Sequence, residues 1–234
     1  MRFAAFETST EWCSVALSCD GEIAALEARA PTSHGELALP MLGRLLEAAG
    51  MRAADLDAVA FGAGPGAFTG LRIACGLAQG LAFARGIPVI GISTLEALAE
   101  ESGADRVIAC LDARMREVYA GAWVREGGRW RAAIAAECVA PAEASVPAGD
   151  GWVGCGSGFA AHGDALRTRY GKALARVDGS ARPSAVAVAR LAAPRLAAGE
   201  GVDAAQAQPA YVRDKVAETS AELAARRAGM MARP

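Results

Sequence analysis

The chain has 234 residues, 53% hydrophobic and 21% charged, enough for one or two globular domains with a real core. A formal net charge of −2 excludes a global basic field for drawing in nucleic acid, and no apolar run approaches the ~20 residues that cross a bilayer. Six cysteines, at 13, 19, 75, 110, 138 and 155, form no C-x-x-C pair, and with only His34 and His162 as imidazoles there is no structural zinc pattern.

In chain order, Phe3–Phe6 (FAAF) is a short apolar strand and TSTE a polar turn. Cys13–Leu17 (CSVAL) is a second strand, Asp20-Gly21 a hairpin turn, and Ile23–Arg29 the third strand of a meander. The strand pattern starts at the first residues, with no basic region or signal-type apolar core ahead of it, so a cytoplasmic location is expected. The cysteines read as free, mostly buried thiols.

Ser33 and Glu36 have capping-box spacing ahead of a helix over Gly35–Ala49, ended by Gly50 and carrying Pro40 out of place. Ala38, Leu42, Leu45 and Ala49 make one face of it, Leu37 and Met41 a second, Leu39 and Leu46 a third. A helix apolar around most of its circumference is buried on more than one side. A strand and a glycine-rich turn, Gly62–Ala67, lead into a second helix over Phe68–Arg85. Its Gly76 and Gly80 share one face. Glycine costs about 1 kcal/mol in a helix interior, so close approach by a neighbouring backbone is the expected compensation. The helix is either a central core helix or one that also meets another subunit.

The strand PVIGIS runs into Ser93-Thr94-Leu95-Glu96, again with capping-box spacing. From Val107 the plan of residues 3–29 returns: Val107–Leu111, Asp112, the polar turn ARMRE, Val118–Val124, the turn Glu126-Gly127-Gly128, then Trp130–Val139. Glu7 and Asp112 take equivalent places. A meander-plus-helices unit repeated about a hundred residues apart predicts two duplicated lobes with a cleft between them. We place them at 1–102 and 103–234, in the α/β, ribonuclease-H-like, actin-type architecture. Further on, Gly149–Gly158 reads as a strand entering a glycine turn. Ser184 caps a helix that Pro194 kinks or ends, 199–210 is a linker, and the tail after Tyr211 is a helix.

Helix N-termini after glycine turns bind anions, so Gly62-Ala63-Gly64-Pro65-Gly66-Ala67 is a candidate phosphate cradle. A P-loop opens its helix with Gly-Lys-Ser/Thr, where Phe68-Thr69-Gly70 stand here. A dinucleotide fingerprint ends its next strand on an acid, where Gly91-Ile92-Ser93 stand. A structural turn is the better reading, with a bound nucleotide as the alternative. Glu7, Gly64, Gly66 and Asp112 form a candidate vestigial nucleotide cleft. Its two acids are either magnesium or phosphate-site groups or strand ends bonding turn amides. His34, beside the Ser33 cap, reads as exposed or capping.

Several stretches carry a resemblance that runs over about the first 217 residues: FETSTEWCSVAL, SHGELALPML, GAGPGAFTGLRIACGLAQGLA, PVIGISTLEALA, LDARMREVYAGAW, GSGF and QPAYVRDKVAE. With these the chain resembles the TsaB family, also called YeaZ; the glycine-proline-glycine stretch with FTGLR and the closing P-x-Y-x-R-D are the most specific. The resemblance implies a two-lobed actin-like fold and a part in making N6-threonylcarbamoyladenosine at position 37 of tRNAs that read ANN codons. It further implies a non-catalytic relative of TsaD, the transferring subunit. TsaD carries a His-x3-His metal pair after the strand equivalent to PVIGIS, and Thr94 and Leu98 stand in those places here. Leucine has no lone pair, and a single hydroxyl is a poor ligand for a transition metal. No catalytic residue, metal or cofactor is therefore expected in the isolated chain; ATP or ADP, magnesium and a transition metal belong on partner subunits.

The expected partners are TsaD, met as a heterodimer through helices 35–49 and 68–85, and TsaE near the joint. Leu39, Leu42, Leu46, Ile73, Gly76, Leu77 and Gly80 would carry the interface, and a two-fold homodimer would use the same surface without TsaD. tRNA is met only within the complex, and no membrane is involved. Glu7 stands where most of the family carry aspartate. Two other readings are a metal-dependent glycoprotease-type peptidase and an ATP-binding kinase-like protein. Zinc peptidases need two histidines and a carboxylate, but His34 and His162 lie on different lobes; missing phosphate loops count against the second.

Overall fold

The computed structural model describes residues 1–30 and 34–213; the expected Ser33 cap lies outside them, as does the expected helix after Tyr211 beyond residue 213. The first meander is β1 (Arg2–Glu7), β2 (Trp12–Cys19) and β3 (Glu22–Arg29). Asp20 and Gly21 turn β2 into β3 at φ of 50° and 100°, the positive-φ pair that an Asp-Gly hairpin supplies. Then come α1 (His34–Ala48), β4 (Ala58–Gly64), α2 (Phe68–Phe83) and β5 (Val89–Ser93). The sheet order is β3-β2-β1-β4-β5, antiparallel through the meander and parallel through β1, β4 and β5.

The second unit follows through α3 (Thr94–Glu101). It contains β6 (Arg106–Arg114), β7 (Glu117–Glu126), β8 (Arg129–Val139), β9 (Trp152–Cys155), α4 (Ser157–Tyr170), β10 (Leu174–Asp178) and α5 (Ala185–Ala197). Its sheet order, β10-β9-β6-β7-β8, repeats the first, strand for strand. The duplication read from the two meanders is thus the topology of the described residues: two lobes, each a five-stranded mixed sheet with helices.

Both faces of each sheet are covered, which is why β1 and β4 are apolar runs and not alternations. On one face of the first sheet, Leu42, Leu45 and Leu46 of α1 and Ala74, Cys75 and Ala78 of α2 pack with Phe6, Val15 and Phe61. The other face takes Val188, Leu191 and Leu196 of α5 against Phe3, Ile90 and Ile92. The second sheet holds Phe159, Leu166 and Tyr170 of α4 on one face, and Leu95, Leu98 and Ala99 of α3 on the other. The two units have therefore exchanged helices. The division at 102/103 follows the strands, while α3 from the first stretch covers the second sheet and α5 from the second stretch covers the first. Ser14 pins the exchange: its hydroxyl accepts from Ala185 N at 2.9 Å and donates to Glu27 Oε1 at 3.0 Å.

Some expectations need correction. Neither proline stops its helix: Pro40 sits on the exposed side of α1, and α5 continues three residues past Pro194. The stretch 199–210 is no free linker, since Val202 bridges to Val89 and a 3-10 turn, Ala204–Gln206, lies against α2. Ser184 does cap α5, accepting from Ala187 N at 3.1 Å. All six cysteines are free, four of them buried. Among the described residues no helix is long and apolar enough to cross a membrane.

Candidate functional site

A cleft of about 1080 Å³ opens between the two sheets. One wall is the β1–β2 turn with the first turn of α2. The other is the β6–β7 turn, the start of α4 at Ser157 and the loop Gly179–Pro183. Tyr211, Val212 and Arg213 also line it.

On the first wall two backbone segments touch. Ala67 N donates to Ser9 O at 2.7 Å, and Thr8 Oγ1 donates to Gly70 O at 2.8 Å. A Cβ on Gly70 would lie 1.9 Å from Thr8 O, one on Gly66 2.6 Å from Ser9 Cβ, and one on Gly64, at φ 120°, 2.6 Å from Ala210 O. Close approach by this chain's own backbone accounts for all three glycines. Ala67, at the N-cap of α2, offers no capping side chain.

Glu7 ends β1 behind that turn and lies outside the cleft lining, 1% exposed. Its Oε1 accepts from Ser9 N at 2.7 Å. Its Oε2 and the buried Thr94 Oγ1 have no aligned hydrogen-bond partner. Burial pushes the Glu7 carboxyl above its usual range, against the opposing pull of the Ser9 hydrogen bonds and the nearby Thr94 hydroxyl. Gly62 leaves the room it needs: a Cβ there would fall 2.0 Å from Oε2.

Asp112, the topological twin of Glu7, lies instead on the cleft wall. Its carboxylate accepts from Arg114 N at 2.9 Å and Arg114 Nη1 at 3.3 Å, while its own N donates to Ser157 Oγ at 3.1 Å. His162 Nε2 stands 3.5 Å from Asp112 Oδ1 and has no aligned hydrogen bond. Arg114, Met115 and Arg116 turn the chain at φ of 63°, 52° and 64°, three consecutive left-handed residues without a glycine among them.

The expected interface residues separate into two groups. Leu42 and Leu46 are buried in the core between α1 and the first sheet, so they cannot meet a partner; the buried side of α1 takes Ala38, Leu42 and Leu45 of one apolar face with Met41 and Leu46 of the other two. Leu39 is 46% exposed, and Ile73 and Leu77 are half-buried. Gly76 and Gly80 face outward, and a Cβ on either meets nothing within 4 Å. Among the described residues no neighbour approaches them, so the described chain does not itself supply the close backbone expected from the sequence. With Phe83, 77% exposed, they edge a shallow groove of about 420 Å³ against Ala204 and Ala205. Thr94 and Leu98 on α3 have no exposure at all. His34 is buried, not exposed, with Nε2 2.9 Å from Thr10 O. Among the described residues no three His, Cys, Asp or Glu side chains come together as a metal set.

Residue spacing alone missed one constellation at the cleft mouth. Tyr211 packs on Phe68, ring centres 5.5 Å apart, and its hydroxyl accepts from Arg72 Nε at 3.0 Å. Arg72 in turn lies 3.7 Å from the Phe68 ring centre. Two residues on, Arg213 pairs with Glu117 and sits 5.7 Å from the Tyr119 ring centre on β7. The two most specific motifs, FTGLR and P-x-Y-x-R, therefore meet in space.

Comparison with known proteins is consistent with this architecture. The family model described as TsaD, tRNA N6-adenosine threonylcarbamoyltransferase, matches residues 28–221. The tRNA threonylcarbamoyladenosine biosynthesis protein TsaB of Escherichia coli (strain K12) is 38% identical, over 93% of this chain and 96% of its own. The protein of the same description from Haemophilus influenzae is 37% identical, over 91% and 93%. The solved structure of YeaZ from Pseudomonas aeruginosa superposes with a TM-score of 0.82 at 42% identity, covering 90% of this chain and 99% of its own.

Proposed function

Because this chain belongs to the TsaB (YeaZ) family and so has a role in tRNA threonylcarbamoyladenosine biosynthesis, we propose that it works by holding a partner and performs no catalysis itself. The partner is a TsaD-type subunit, seated as a heterodimer on the outer face of α1 and α2. One observation carries this reading: α2 exposes Gly76, Gly80 and Phe83 as a stripe with open space above it, and Leu39 of α1 stands exposed. Glycines that nothing in the chain requires cost helix stability, and a helix packed closely against them would offset that cost.

The non-catalytic part of the reading rests on α3. Thr94 and Leu98 are sealed in the core, and neither side chain can replace an imidazole on a transition metal. The metal, magnesium and ATP or ADP would then sit on the partners, with a TsaE-type ATPase near the joint and tRNA met by the assembled complex in the cytoplasm. Without a partner the same face would pair two copies of this chain about a two-fold axis.

Gly80→Arg tests this. The position is exposed and free of neighbours, so the fold should persist while mass by light scattering, with and without TsaD, falls to the separate subunits and tRNA modification in the reconstituted system is lost. Unchanged assembly together with unchanged modification would remove the proposal.

A further inference from the structure

We propose that residues 207–213 form a clasp that sets the opening of the inter-lobe cleft, with Arg213 as its releasable end. Among the described residues the chain passes between the two sheets three times: through α3, into α5, and along this segment. The first two passes are helices with buried apolar faces. The third is an extended segment anchored very unequally at its two ends.

On the first lobe it is tied repeatedly. Ala207 O accepts from Gln79 Nε2 at 3.0 Å and Cys75 Sγ at 3.5 Å, and Ala210 N donates to Ala63 O at 2.7 Å. Tyr211 is held by Phe68 and Arg72. On the second lobe it is held by two side chains: Val212 packs on the cluster that includes Leu111 and Tyr119, and Arg213 pairs with Glu117.

Two residues of chain reach at most about 7 Å, so while Tyr211 and Arg213 are both seated they tie the walls that bear them at short range. The pair is also releasable. The Arg213 side chain is 16% exposed and that of Glu117 37%, so water reaches one side of it. Local opening of such a contact does not require the sheets to unfold. Because Phe68 and Arg72 stand on the same helix as Gly76 and Gly80, the clasp also joins the outer face of α2 to the cleft.

Hydrogen–deuterium exchange on the full chain tests the clasp. In Arg213→Glu, amides of the cleft turns at 9–12, 112–116 and 179–182 should exchange about tenfold faster, the size that a charge-assisted hydrogen bond confers. Exchange in β1 and in β6 up to residue 111 should not change. The reciprocal swap, Arg213→Glu with Glu117→Arg, should return the turns to the wild-type rate. Wild-type exchange in the turns of the single variant would overturn the clasp, as would a swap that remains as fast as the single variant. If Arg213→Glu does not fold, Glu117→Gln reads the same turns, with the same two results deciding.

Discussion

Replacing Gly76 and Gly80 together by alanine separates what α2 needs for folding from what its outer face does. Each added Cβ points into open space, with no heavy atom of the described residues outside the helix's own nearby backbone within 4 Å, and neither glycine needs positive φ. Nothing within the chain therefore opposes the gain in helix propensity. That gain is about 0.5–1 kcal/mol per site, or about 1–2 kcal/mol for the pair. At roughly 2–4 °C per kcal/mol for a protein of this size, the midpoint should rise by roughly 2–8 °C. Thermal unfolding followed by circular dichroism, with a urea series at constant slope, measures it on the isolated protein. The same variant mixed with TsaD should assemble less well, because the methyl groups hold the partner's helix away. A lower or unchanged midpoint would show that the glycines serve the chain's own packing. A higher midpoint with assembly intact would show that no helix docks there.

Glu7→Gln should stabilise the protein near pH 8 and change little at pH 4.5. The folded carboxyl titrates above its unfolded counterpart because it is buried, so its stabilising neutral form is complete below the unfolded value and is lost as pH rises through the folded one. The difference between variant and wild type should approach the roughly 1–3 kcal/mol that an uncompensated buried group costs; equal urea midpoint shifts at both pH values would refute it. Gly70→Ala should cost more than about 3 kcal/mol or prevent folding, since its Cβ meets the Thr8 carbonyl at 1.9 Å, and a soluble variant with a wild-type melting curve would contradict that packing. Met115→Gly, at φ 52° and 54% exposed, should gain about 0.5–1 kcal/mol: relief of left-handed strain of about 1–2 kcal/mol outweighs the added freedom of the unfolded chain. Destabilisation in urea would argue against it.

The parts of the fold that were legible are those where local pattern and topology agree. The first meander follows from apolar runs broken by a polar turn and Asp20-Gly21, and its copy from Val107 gives the second sheet. α1 and α2 are legible because each is a long apolar stretch with a turn signal before it. α4 is not: Gly158, Gly163 and a non-helical His162 (φ −132°) dilute its periodicity. β10 is five residues, none fully buried. Which face of α1 meets the sheet is not a local property, because leucines lie on all sides; hence Leu42 and Leu46, expected at an interface, lie inward. The burial of Glu7 and the partial exposure of Asp112 are likewise tertiary, arising from what each meander turn packs against. The two motifs at the cleft mouth were visible singly, but Phe68 and Tyr211 are too far apart in sequence for spacing to show that they touch.

The helix exchange also sets a timetable for the newborn chain. When β5 has left the ribosome, all five strands of the first sheet exist, yet one greasy side stays bare until Leu196 arrives to cover Phe3 and Ile92. That interval spans roughly a hundred residues, about 5–20 s at ordinary elongation rates. Through it the nascent sheet offers sticky carbon to anything nearby. For the same reason neither half, severed at 102/103 and expressed alone, has the means to stay dissolved.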